Sequence, residues 1–260
     1  MMDQGKVRAL GRALAAARGG GRISLADGLV PDDKAEAFAI QAETFEVLSA
    51  GISGFKIGAP DPDSDNITCA PLATGTVKFG GDSITVTERR PLWVEAEIAV
   101  RLGADLPERD SPYSSEEAYQ AIATLHAAIE VVDPRFSAWP DIPPMAALAD
   151  LSANGRLVLS EGIAAPRHFE IGEITVDFSM GKIRKTMGPE TFAGGDPMRL
   201  VTWLANNMGV WGHAGAGRGL REGDVITTGS WIGFLPAEPG TMATCSIDGV
   251  GSVGVQIIGA

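Results

Sequence analysis

The sequence predicts an α+β fold, with strands and helices drawn from separate stretches of one chain. Two observations carry that expectation. The stretch from Leu92 to Leu102, LWVEAEIAVRL, has the period-two alternation of a strand, and DVITTGSWIG and TMATCSIDGVGSVGVQII alternate in the same way near the C-terminus. Helical signals lie elsewhere, in the first fifty residues, at a capping-box pattern of Ser114 with Glu117, and at an Asp196–Pro197 start. At 260 residues the chain can bury a substantial core as one large domain or as a domain with a small appendage.

Taken in order, MMDQGKVRALGRALAAARGGG reads as a short amphipathic helix with Val7, Leu10 and Leu14 on one side. Asp32 and Asp33 open a second helix through about Ser49, with Ala35, Phe38, Ala42 and Phe45 at helical spacing. GFKIG at 54–58 reads as a strand that sends Lys56 to the face opposite Phe55 and Ile57. The Pro- and Asp-rich stretch that follows reads as a long loop of the lid or binding kind, and strand character returns at Ile84 and Val86. The helix begun at Ser114 runs towards Leu125, so His126 reads as a C-terminal cap before the strand IEVV. Asp133 and Arg135 read as turn residues, and Asp150, Ser152 and Asn154 cluster ahead of another strand, where they either line a site or shape a turn. Ile171 to Phe178 and GKIRK form a hairpin with Gly181 in its turn and Lys182, Arg184 and Lys185 solvated. A helix from Asp196 runs to about Met208, and His213 follows in a surface connection.

Composition excludes several function classes. A formal net charge of -12 argues against a nucleic-acid or anionic-membrane partner, and no apolar run approaches a membrane span. The N-terminal stretch is interrupted by Arg too often for a secretory core, which places the protein in the cytoplasm. Two cysteines, Cys69 and Cys245, make no disulfide framework or zinc spacing, and three histidines supply little for His-based chemistry.

The chemistry points instead to acids. On an extended strand, Glu95 and Glu97 share one face with Trp93 and Ala99, while Val94, Ala96, Ile98 and Val100 face the core. Neighbouring carboxylates on a half-buried surface need protons or a cation between them, and carboxylate oxygens suit a hard ion such as Mg, Mn or Ca. The competing reading is the wet face of an edge strand. Glu130, inside the apolar HAAIEVVD, supplies a third acid for an all-oxygen site. Lys56 is either a snorkelling lysine or a cleft group that neutralises a substrate carboxylate or moves a proton.

Several segments, taken together and in order, resemble the fumarylacetoacetate hydrolase superfamily, within it the 2-keto-4-pentenoate hydratase and 4-oxalocrotonate decarboxylase branch. They are EAFAIQ at 36–41, GFKIG at 54–58, VEAEIAVRL and DLP within 94–107, AIEVVDPRF at 128–136, ADLSANG at 149–155, WLAN at 203–206, LREGDVITTGS at 220–230 and GVGSV at 249–253. The resemblance implies a mixed β-sheet rolled on itself with flanking helices, a homo-oligomer, and a divalent Mg or Mn ion held by Glu95, Glu97 and Glu130. It implies Lys56 and Asp150 as catalytic residues, with Lys56, Ser152, Gly229 and Ser230 against a small 2-oxo acid. Residues 1–75 then form a helical region and substrate loop, and 76–260 the metal-binding sheet core of one continuous catalytic unit. The implied reaction is hydration of a 2-hydroxy-2,4-dienoate to a 4-hydroxy-2-oxo acid in the catabolism of aromatic or ring compounds. Alternatives are decarboxylation of a 2-oxo-3-enedioate, a carbon–carbon hydrolase of acylpyruvate type, and a non-catalytic metal-binding homologue. The chain departs from the branch at Leu151, where Asn is usual, at Asp196, where His is usual, and in the loop 60–75, which has NITCAPL where a PDYG-like segment is usual. The substrate end of the pocket is therefore expected to differ from that of the hydratases.

Overall fold

The computed structural model describes residues 3–25, 29–86, 91–166, 174–209 and 218–259. Helix α1 (Gln4–Ala17) starts on Asp3, whose carboxylate accepts the N–H groups of Gly5 and Lys6, and it buries Val7, Leu10 and Leu14 as expected. Helix α2 (Lys34–Leu48) is capped by Asp33 and ends on Ser49 in the left-handed conformation. Its buried face is wider than the spacing of Phe38 and Phe45 suggests. Ala35 is exposed, while Ile40, Gln41 and Thr44 are buried, because α2 touches α1 on one side and both β2 (Thr68–Ala73) and α4 (Pro144–Ala149) on the other.

The larger sheet runs in the order β2, β1 (Ile52–Gly58), β11 (Val225–Ser230), β5 (Trp93–Leu102), β6 (Ile122–Val132), β7 (Asn154–Leu159) and β3 (Val77–Phe79). Two short strands, β8 (Ile163–Ala164) and β12 (Leu235–Pro236), add to β6 and β5. A second sheet orders β10 (Ile183–Met187), β9 (Val176–Met180), β13 (Met242–Ile247), β14 (Gly251–Gly259) and β4 (Asp82–Val86). Pairing is mostly antiparallel, but β1 with β11, β3 with β7 and β14 with β4 are parallel. The result is a curled mixed sheet with flanking helices, and β13 and β14 pack over β6 to close the core between the two sheets. Helix α3 (Ser115–Gln120) packs on α5 (Pro197–Asn206), which in turn lies against β1 and β11. No helix among the described residues is long and apolar enough to cross a membrane.

Several elements differ from expectation. The stretch expected to be one long loop gives way to β2, which pairs antiparallel with β1 from Gly58 to Ile52. The helix from Ser114 stops at Gln120, and His126 is not a helix cap. It lies within β6, opposite Ala99, because apolar alternation at Leu125, Ala127 and Ile129 pairs with β5 along almost its whole length. Its ring bonds Thr124 at 2.7 Å and the Ser160 carbonyl at 2.9 Å, and burial lowers its pKa. Lys185 is half-buried, donating to the Ile232 carbonyl at 2.9 Å. His213 and the expected strand start at Ile171 lie outside the described residues.

Gly54 decides how closely β1 approaches β11. Its φ is +149°, and a Cβ there would stand 1.8 Å from the Val225 carbonyl oxygen. Gly54→Ala must therefore push the two strands apart, and with them Lys56. The expected cost is about 3 kcal/mol or more in urea unfolding, and stability within about 0.5 kcal/mol of the parent chain would show that the strands yield freely.

Candidate metal centre

The antiparallel register of β5 and β6 sets Glu95 directly opposite Glu130, and Glu97 two residues along the same face of β5. Each of the three carboxylates offers an oxygen within 4.8 Å of the others. On the opposite face of β5, Val94, Ala96, Ile98 and Val100 are fully buried. A cluster of acids is thus fastened to paired strands whose far face is buried.

Neighbours fix two of the three acids. Glu97 accepts the Thr227 hydroxyl and, at 2.9 Å, the N–H of Gly229, both from β11. The positive φ of Gly229, +102°, forms part of the irregularity that lets β11 turn this N–H inward. Glu130 is buried, and its Oε1 accepts Lys56 Nζ at 2.6 Å and Asn154 Nδ2 at 3.1 Å. Its Oε2 is enclosed without a hydrogen-bond partner. A buried carboxylate oxygen left unpaired is costly, and a divalent cation among the three acids would satisfy it. The residues present therefore fit a hard, oxygen-coordinated ion.

Electrostatics points the same way. Burial pushes Glu95 up to about 7, with Lys56 opposing and Glu130 adding to the rise. Burial also raises Glu97 to about 8, reinforced by Glu130 and Glu95. Burial alone would lower Lys56, but Glu130, Glu95 and Glu97 outweigh it and hold its proton more firmly than usual. Its ammonium also lies 3.8 Å from Glu95 and donates to the Ser152 carbonyl at 3.2 Å.

That carbonyl belongs to an unusual turn. Leu151, Ser152 and Ala153 have φ of +53°, +49° and +57°, a left-handed run that costs roughly 1–2 kcal/mol for each such residue. Arg135, fully buried, holds the turn at both ends. Its Nη2 donates to the Asp150 carbonyl at 2.7 Å, its Nη1 to the Asn154 carbonyl at 2.8 Å and to the Asp133 carbonyl, and its Nε to Asp150 Oδ1 at 2.5 Å. The Arg135 N–H donates to Asp150 Oδ2 at 2.8 Å. Burial raises the Asp150 pKa against the pull of Arg135.

A cavity of about 580 Å³ opens onto the acids. Lys56, Glu95, Glu97, Ser152, Gly229 and Ser230 line it, together with Ala59, Pro60, Asn66, Thr68, Ala193 and Phe234. Six of the expected site residues thus line one cavity, and Glu130, which does not line it, bonds Lys56. Asp150 departs from expectation. It does not line the cavity, and both its oxygens face Arg135. Thr227 and Phe234 were not singled out from the sequence. Thr227 sits in the strand-like VITTGS, a place that marks its strand but not its bond to Glu97, and no local signal marks Phe234. Phe234 begins a run of aromatic contacts, 5.8 Å to Trp139 and from there 6.2 Å to Trp93.

A curled mixed sheet that gathers three acids and a lysine at one cavity defines a class, and the sequence comparison identifies it. The family model described as "Fumarylacetoacetate (FAA) hydrolase C-terminal" matches residues 60–258, and the chain belongs to the fumarylacetoacetate hydrolase family. Among its relatives, the 2-keto-4-pentenoate hydratase of Paraburkholderia xenovorans is 31% identical over 160 residues, 62% of this chain and 56% of that protein. The TodF product hydratase of Pseudomonas putida is 31% identical over 198 residues, 76% of this chain and 69% of that protein. The chain thus spans little more than half the length of the first of these relatives. The solved structure of 4-oxalocrotonate decarboxylase from Pseudomonas putida G7, complexed with magnesium and adipate, matches with a TM-score of 0.83 at 21% identity, covering 99% of both chains. That likeness establishes the fold.

Two measurements test the centre. Carboxyl pKa values raised on folding stabilise the protein below the unfolded value and lose that contribution as pH rises through the folded ones. In EDTA, the melting midpoint is therefore expected to fall as pH rises from the ordinary carboxyl value of 4.5 through the values of about 7 and about 8 for Glu95 and Glu97, and to level off above them. Added Mg should restore more of it at the alkaline end, and a metal effect independent of pH would contradict the arrangement. Separately, Asp150→Leu strands the buried Arg135 guanidinium, with an expected loss of about 3–5 kcal/mol by chemical denaturation.

Proposed function

We propose that this protein is a divalent-metal-dependent hydro-lyase that adds water to a 2-hydroxy-2,4-dienoate, giving a 4-hydroxy-2-oxo acid. The reading rests above all on the unpaired Oε2 of Glu130 among three acids, two of which line the cavity, beside a lysine that keeps its proton. The names of the hydratase relatives support the reaction class. Glu95, Glu97 and Glu130 are the residues to hold Mg or Mn, both of which accept carboxylate oxygens. Such an ion supplies Lewis acidity that steadies negative charge developing on a bound 2-oxo acid.

The chain's own groups do the rest. Lys56 offers its ammonium to the substrate carboxylate, and because the acids hold its proton it serves as a donor and not as a base. Ser152, Gly229 and Ser230 line the same cavity. Ala59, Pro60, Ala193 and Phe234 suit the apolar chain of the substrate, while Asn66 and Thr68 provide polar groups for the attacking water. Two buried, unpaired cysteines, Cys69 and Cys245, fit a reducing cytoplasm.

Decarboxylation of a 2-oxo-3-enedioate is the second reading, favoured by the full-length match to the decarboxylase fold. A spectrophotometric assay on 2-hydroxypenta-2,4-dienoate and 2-oxohex-3-enedioate, with Mg or Mn and then with EDTA, separates the two. Metal-dependent loss of the dienol without carbon dioxide release is expected. Carbon dioxide from the diacid would select the second reading, and turnover indifferent to EDTA would remove the metal from both. Glu95→Gln and Glu97→Gln should each lower turnover at least about a hundredfold with an unchanged circular dichroism spectrum.

A further inference from the structure

We infer that Arg135 and Asp150 form a positioning clamp, which acts on the reaction through the turn they hold and not by touching substrate. The inference rests on the proposed role of Lys56 and Glu130. Arg135 binds the carbonyls of Asp150 and Asn154, the two ends of a turn whose three inner residues all have positive φ. None of those three is glycine, so the conformation needs an external hold. The turn presents two groups to the centre. The Ser152 carbonyl accepts from Lys56, and the Asn154 carboxamide donates to Glu130 Oε1. Together with Lys56 Nζ, Asn154 occupies that oxygen and leaves Oε2 as the one without a partner.

One guanidinium therefore orients both the ammonium and the third acid from behind the cavity wall. Asp150 completes the fork, taking Arg135 Nε and the Arg135 backbone N–H on its two oxygens. A relaxed turn would release Lys56 and let Glu130 rotate without emptying the cavity or moving Glu95 and Glu97 on β5.

The test uses Asp150→Asn in the full chain, which keeps the shape of the side chain and one acceptor. Hydrogen exchange is expected to quicken in residues 150–154 while the amides of β5 and β6 stay protected. Turnover, kcat, is expected to fall about tenfold or more with KM changed less than about threefold. Unchanged exchange in the turn, or faster exchange with an unchanged kcat, would overturn the inference. So would a kcat loss that merely tracks the fraction of unfolded protein. Should Asp150→Asn not fold, Arg135→Lys retains the buried charge but cannot reach both carbonyls, and it carries the same expectations. A parent chain silent on the 2-oxo acids would count against the reaction alone, and exchange in the turn would then decide the clamp.

Discussion

Repulsion among three carboxylates is the constraint on which the rest of this structure depends. Glu95, Glu97 and Glu130 bring oxygens within 4.8 Å of one another on largely buried strands, and Lys56 answers them. Left alone, such a group would take up protons or spread apart. The pairing of β5 with β6 fixes their spacing, and only the cavity side is open. Val94, Ala96, Ile98 and Val100 lock the far face of β5, and β6 carries Glu130 at zero exposure. The stress is met by hydrogen bonds from Thr227, Gly229, Lys56 and Asn154, and the acids fit a hard cation.

Support for the centre comes from distant parts of the chain. β1 brings Lys56, β11 brings Thr227 and Gly229, the turn before β7 brings Ser152, and the first residue of β7 is Asn154. Each has its own local peculiarity. Gly54 permits the close parallel approach of β1 to β11, Gly229 has a positive φ, and the 151–153 turn is left-handed. Such departures from relaxed geometry collect where a site must be held in one arrangement. Here all three surround the same acids.

The exchange of roles at Asp150 and Arg135 is instructive. From the residues alone, Arg135 reads as a turn former, and the family resemblance makes Asp150 a catalytic group. In the fold the two belong together, buried behind the cavity as an ion pair with every guanidinium nitrogen engaged. Fifteen positions separate them in the chain, and no local pattern announces such a pairing. His126 shows the same limit in reverse: a residue read as a helix cap is claimed by strand pairing, because burial along β6 outweighs the weak helical preference of the preceding segment.

What the sequence determined by itself follows from short-range periodicity and from charge in apolar surroundings. Glu95 and Glu97 on one face, Glu130 as their partner, Lys56 opposite Phe55 and Ile57, the helix starts at Asp33 and Asp196, and the hairpin around Gly181 were all legible, since each depends on neighbours a few residues away. Tertiary structure alone decided the register that places Glu95 across from Glu130, the bonds that β11 sends to Glu97, and the aromatic wall begun by Phe234. It also decided which oxygen of Glu130 stays free, because that depends on a lysine 74 residues away and an asparagine 24 residues away meeting on the other one. Long-range contacts of this kind are set by how whole strands pack, and packing is a property of the assembled core that no single window of sequence contains.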